Sequence, residues 1–236
     1  EISSKIPVDC SIFKKNSLVI LSAGQSNAAN SGEIKLGKIK NSYNFNILDN
    51  KCYTASDPML GTTGLGGTIW THLGLKIQKT NPNLNVLFVP IAVSGSSIYL
   101  WQKDINIFYQ RIAMVQQGLD QYGIKVNTIF WQQGESDTQM SQKKYYGYLT
   151  NVVRSFVTLI KGAKIFIADS TYCQGKHSNA IRKANRQIIQ ENAQVFTGPD
   201  LDQYHDASYR HDDCHLSVKG QEIAADEWFN RLNHIN

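Results

Sequence analysis

The chain has 236 residues, 42% hydrophobic and 18% charged, which supplies a sizeable core and too little polarity for a disordered chain. Its formal net charge of +5 comes from lysines and arginines scattered along the sequence, with small groups at 35–40 and 182–186, so no continuous nucleic-acid-binding face is expected. No apolar run approaches the roughly 18 to 20 residues that cross a bilayer, and no membrane span is expected either.

Taken in chain order, short apolar runs alternate with longer segments of helical period. Residues 18–23, 85–92, 127–132, 164–169 and 194–197 are rich in Val, Ile and Phe and hydrophobic without alternation, as strands covered on both faces must be. Between and after them, 67–80, 105–122, 141–160, 178–192 and 217–232 repeat apolar residues at three- and four-residue steps, with Ser217 a good N-cap for the last. Strands alternating with helices predict right-handed crossovers and a parallel sheet between two helical layers, in a single domain over 1–236. Residues 31–66 read as a long irregular excursion beside the site.

Four cysteines, Cys10, Cys52, Cys173 and Cys214, occur without a CxxC pair. That fits two disulfides in an oxidising compartment better than a zinc site. Three pairings are open. Cys10 with Cys52 and Cys173 with Cys214 would each tie neighbouring loops and are the expected ones, four buried thiols being the alternative. The chain opens at EISSKIPVDC with neither an initiator methionine nor a signal peptide, the start expected of a mature secreted or periplasmic protein.

Ligands in such sheets bind beyond the carboxyl ends of the strands, and four chemistry-bearing stretches fall there. The first strand runs into Gly24-Gln25-Ser26-Asn27, a sharp turn that would lift the Ser26 hydroxyl out of the sheet beside helix-start amides. An ordinary N-cap serine would look the same. The stretch Arg210–Ser217, RHDDCHLS, spaces Asp212 and His215 so that a turn brings the carboxylate onto one ring nitrogen, leaving the other to accept a serine proton. A metal site of His211, Asp213 and His215 is the rival there, since alternating ligands on an extended strand converge. A solvated polar loop is the plain alternative.

In WQQGESD, residues 131–137, Gln133 offers a carboxamide, while Glu135 and Asp137 read as anchors for neighbouring loops rather than as a glycosidase acid pair. After the second strand, Gly95 offers an unobstructed backbone N–H, and Tyr99 and Trp101 are candidates for an apolar or sugar-stacking wall or, for Trp101, for the core.

Together, Gly24-Gln25-Ser26-Asn27, Gly95, Gln133-Gly134-Glu135-Ser136-Asp137 and Asp212-x-x-His215 resemble in order and placement the four blocks of the SGNH (GDSL-like) hydrolases. They are most similar to the branch of the sialate O-acetylesterases and family-six acetylxylan esterases. The resemblance implies a three-layer α/β/α sandwich on a mostly parallel five-stranded sheet and ester hydrolysis with no metal or cofactor. It implies a Ser26–His215–Asp212 triad and an oxyanion hole from the N–H groups of Ser26 and Gly95. The wider superfamily adds a third-block asparagine that this chain lacks, so Gln133 takes that expected role. Gln25, Glu135 and Trp101 are left as substrate-binding or structural. The nucleophile elbow of the α/β-hydrolases fits less well, because Ala28 stands where a second glycine belongs. The expected activity is removal of O-acetyl groups from a carbohydrate. The alternatives are esterase action on peptidoglycan or small lipid esters, or a non-catalytic carbohydrate-binding protein on the same scaffold. Oligomeric state is left open.

Overall fold

A computed structural model describes residues 2–233 of the chain. Eight strands form one sheet: β1 (Pro7–Val8), β2 (Ser17–Gly24), β3 (Ser42–Asn46), β4 (Lys51–Thr54), β5 (Asn85–Pro90), β6 (Thr128–Gln132), β7 (Lys164–Asp169) and β8 (Val195–Asp200). The spatial order is β1-β4-β3-β5-β2-β6-β7-β8. All pairings are parallel from β3 across to β8, and only β4 runs antiparallel to its two neighbours, β1 and β3.

The expected five-stranded sheet is therefore extended by three strands, and two of them arise inside the stretch read as irregular. β3 and β4, SYNFN and KCYT, are short and polar, so neither shows a hydrophobic run. β3 is buried all the same, and its central polar side chain, Asn44, finds partners. The Asn44 carboxamide accepts from the N–H of Leu60 (2.7 Å) and donates to its carbonyl (3.1 Å), so the crossing loop satisfies it.

Five helices cover the sheet: α1 (Ile69–Thr80), α2 (Tyr109–Asp120), α3 (Gln142–Leu159), α4 (Asn179–Glu191) and α5 (Val218–Asn233). Four begin with hydroxyl caps, the one at Ser217 as the sequence predicts. Thr68, Ser141 and Ser178 accept from the N–H three residues on, and Ser217 accepts from Gly220. Alternate strand residues build the two cores. Val19, Leu21, Ile129 and Ile165 face α2, α3 and α4 through Val115, Val152, Phe156 and Ile188. Ile20, Phe88, Phe130 and Phe166 face α1 and α5, where Phe130 stacks on Trp228 at 4.1 Å. Full burial of each such side chain is worth about 1.5–3 kcal/mol.

Central strand β2 fixes where chemistry can sit. The chain leaves β2 toward one edge of the sheet and leaves β6 toward the other, so a crevice opens beyond their carboxyl ends. Ser26 lies two residues past the end of β2. A broad cleft bordered by Asn16, Lys125, Lys161 and Phe229 lies at the opposite, amino end of the strands.

Candidate active site

The Ser26 turn is braced on both sides. Past the end of β2, Gln25 N–H donates to the Gln132 carbonyl (3.1 Å) and Val93 N–H donates to the Gly24 carbonyl (3.0 Å), so β5 and β6 grip the turn. Gly24 has φ +129°, and a Cβ there would lie 1.9 Å from the Gln132 carbonyl oxygen, so only glycine fits this close approach. Ser26 opens a single helical turn, Ser26–Ala28, and is 5% exposed. Its backbone N–H and that of Gly95 have no hydrogen-bond partner among the described residues. Gly95, at φ +69°, faces open space.

The histidine comes from a tight hairpin ahead of α5. Arg210 and Leu216 pair as an antiparallel bridge, and His211 N–H donates to the His215 carbonyl (2.9 Å). Within the hairpin, Asp212 Oδ2 lies 2.7 Å from His215 Nδ1, while Asp212 Oδ1 accepts from the N–H groups of Cys214 (3.1 Å) and His215 (2.6 Å). Partial burial alone would raise the Asp212 carboxyl. The N–H and ring of His215, its charge and the Cys214 N–H outweigh that and bring it down to about 2. Asp213 takes a left-handed backbone (φ +62°) and turns away to accept from the Tyr172 hydroxyl.

What joins the two halves is a residue the sequence did not single out. Asn27 donates through Nδ2 to the Cys214 carbonyl (3.2 Å) and accepts through Oδ1 from the Leu216 N–H (3.2 Å). The residue after Ser26 thus holds the residues on either side of His215. The same Nδ2 donates to Glu135 Oε1 (2.9 Å), which also accepts from the Ser170 hydroxyl. The Cys173–Cys214 disulfide and the buried Arg210 guanidinium, which donates to the carbonyls of Cys214, Tyr204 and Leu201, fix the hairpin from behind. Cys10 and Cys52 form the second disulfide, so both expected pairings are present.

Gln133 requires a correction. Its carboxamide is wholly buried. Nε2 lies within hydrogen-bonding range of Gln25 Oε1 (3.1 Å), the Ser96 carbonyl (3.1 Å) and Asp137 Oδ2 (2.6 Å), and Oε1 accepts from Tyr145. An amide with two hydrogens already directed among three internal acceptors is not free to meet an oxyanion. It positions others instead. Asp137 accepts from the Ser97 hydroxyl and the Ile98 N–H, which secures the loop carrying Gly95. Gln25 Oε1 accepts from the N–H of Ser136 (3.0 Å) and has the same bracing role. Trp101 is fully buried, donates to Ser96 Oγ (3.1 Å) and meets Trp131 edge-on, so it belongs to the core, while Tyr99 is exposed.

Glu135 is buried with Oε2 unpartnered. Burial pushes its carboxyl up to about 7, against the opposing pull of Asn27, Ser170 and the positive Arg210. The mouth of the site carries hydroxyls, with Ser31 Oγ 3.3 Å and Thr63 Oγ1 3.1 Å from Ser94 Oγ, next to Gly95. The expected metal alternative also changes membership, because the metal-competent group is His211, Asp212 and His215, with Asp213 outside it.

A family model described as carbohydrate esterase, sialic acid-specific acetylesterase, matches residues 16–230. The chain belongs to this family. The esterase is thus a carboxylic ester hydrolase acting in carbohydrate O-deacetylation, in agreement with the sialate O-acetylesterase branch that its sequence resembles. No curated protein sequence matches it significantly. Its fold is similar to that of a solved protein from Arabidopsis thaliana (TM-score 0.76, 14% identity, 93% of this chain and 99% of that one). It is also similar to a carbohydrate acetylesterase from Xanthomonas citri (TM-score 0.59, 12% identity, 92% and 56%) and to a family 3 carbohydrate esterase from Clostridium thermocellum (TM-score 0.57, 17% identity, 91% and 94%). No helix among the described residues of the esterase is long and apolar enough to cross a membrane.

Proposed function

We propose that the protein is a metal-free serine esterase that removes O-acetyl groups from a sugar through Ser26, His215 and Asp212. The observation that carries this reading is the Asn27 clamp, which ties the turn of Ser26 to the hairpin in which Asp212 already holds His215 at 2.7 Å.

The chemistry follows from those positions. With Nδ1–H held by Asp212, His215 presents Nε2 as the base. Ser26 Oγ attacks the acetyl carbonyl carbon and passes its proton to Nε2. The oxyanion then lies against the unpartnered N–H groups of Ser26 and Gly95, where each donor is worth about 100- to 1000-fold in rate. Collapse expels the sugar alkoxide, which takes the proton from His215. Water, deprotonated by the same nitrogen, then releases acetate from Ser26. The Ser31, Thr63 and Ser94 hydroxyls at the mouth suit a polyhydroxylated alcohol. Two disulfides suit work in a secreted or periplasmic setting.

The test is acetate release from acetylated xylan, O-acetylated sialic acid, O-acetylated peptidoglycan and acetylated monosaccharides, measured for the wild type and Ser26→Ala. Release from at least one sugar acetate that is abolished in folded Ser26→Ala supports the reading. Retention of most activity in that variant overturns it.

A further inference from the structure

His211 has no part in the triad, yet the backbone places it beside the histidine that does. The Arg210–Leu216 bridge and the hydrogen bond from His211 N–H to the His215 carbonyl make the two histidines neighbours across the hairpin. Their rings lie 6.1 Å apart and 29° from parallel. Between them in sequence, Asp212 completes a group in which one ligand atom from each residue lies within 4.8 Å of the other two. His211 and Asp212 are exposed and His215 partly so, which leaves the group open to an ion from solvent.

We propose that His211, Asp212 and His215 form a site for a zinc-type divalent ion whose occupation silences the esterase. Silencing rests on the function proposed above, whereas binding does not. Two imidazoles and a carboxylate suit zinc and neighbouring transition metals and are poorly matched to magnesium, which prefers oxygen ligands. Only a small closure is needed to bring three atoms already within 4.8 Å to bonds of about 2.0–2.2 Å from one ion.

Either ring nitrogen of His215 gives the same outcome. An ion held by both imidazoles through Nε2 of His215 takes the lone pair that would accept the proton of Ser26, and Asp212 then belongs to the site through the ring it holds at Nδ1 rather than by a bond of its own. An ion on Nδ1 replaces the proton shared with Asp212, so the neutral ring carries its proton on Nε2 and cannot act as a base. His211 is then the residue that turns a catalytic histidine into a chelate. Asp213, directed to Tyr172, is not part of it.

The experiment titrates zinc chloride into chelator-treated protein, with binding read by calorimetry on Ser26→Ala and inhibition read on the active enzyme. One ion should bind per chain, and activity should fall in step with occupancy. Loss of a mere outer-shell partner weakens metal sites by about 10- to 100-fold. His211→Ala should therefore weaken binding and inhibition at least tenfold while activity without zinc stays within about twofold. Asp213→Asn should change neither, and magnesium at the same concentration should not inhibit. The proposal is overturned by an absence of zinc binding, by inhibition equally strong in His211→Ala, by equal inhibition with magnesium, or by activity that is lost in chelator and restored by zinc. Because calorimetry on Ser26→Ala needs no catalysis, failure of the esterase reading would leave the binding result standing and separately readable.

Discussion

Asn27 donates to the backbone carbonyl of Cys214, 187 residues further along the chain and directly before His215. Its other amide atom accepts from Leu216, so a single side chain sets the height of the histidine hairpin over the serine turn. Asn27→Ala should leave the buried Leu216 N–H without its partner, at about 1–3 kcal/mol, and the Cys214 carbonyl held by Arg210 alone. The expected result is a lowered Tm together with a fall in kcat of at least tenfold and little change in KM, read on a soluble acetyl ester. An unchanged kcat in a destabilised protein would mean that the clamp serves folding alone.

Asp212→Asn keeps an oxygen able to accept from the N–H groups of Cys214 and His215 and removes the charge facing Nδ1. The amide favours the wrong imidazole tautomer, and kcat should drop on the order of 10⁴-fold with the fold retained. A loss below tenfold would remove Asp212 from the triad.

Glu135 gives the fold a pH dependence of its own. Its carboxyl binds the proton more tightly in the folded protein, at about 7, than at its ordinary value of 4.5. The group is therefore neutral and without penalty below pH 4.5, and it destabilises the fold progressively as pH rises to 7, by on the order of 3 kcal/mol in all. Glu135→Gln keeps an acceptor for Asn27 and Ser170 and cannot ionise. Between pH 5 and pH 8 its Tm should fall less than that of the wild type, by roughly 5–10 °C. Parallel curves for the two proteins would show that the buried carboxyl is not ionising in this range.

Removing the Cys173–Cys214 disulfide should act on both stability and rate. It closes a 41-residue separation, for which chain entropy predicts about 4 kcal/mol. Cys214 also sits beside His215, so the Cys173→Ala/Cys214→Ala protein should lose kcat even below its lowered Tm. Full kcat in that variant would assign the bond to stability only.

The sharp turn at Ser26 and the contact of Asp212 with His215 were legible because each lies in a short local pattern: a strand ending at glycine, and an acid three residues before a histidine. The central strands were legible because both of their faces are apolar. β3 and β4 were not, since Asn44 is buried through bonds to Leu60 and not through hydrophobicity. Gln133 and Asn27 show the same limit. The residue type was visible, but the direction of an amide depends on partners over a hundred positions away in sequence, Gln25 for one and Cys214 for the other. The rival metal set placed Asp213 beside His211 and His215 on the assumption of an extended strand, and its left-handed backbone breaks that alternation.

The central claim is that Ser26 is made nucleophilic by His215. Fluorophosphonate labelling followed by peptide mapping tests it most directly, on the wild type and on His215→Asn. A single adduct on the peptide holding Ser26, formed at least 100-fold more slowly in His215→Asn, is the predicted result. An adduct on another residue, or labelling of Ser26 at an unchanged rate without the imidazole, would contradict it.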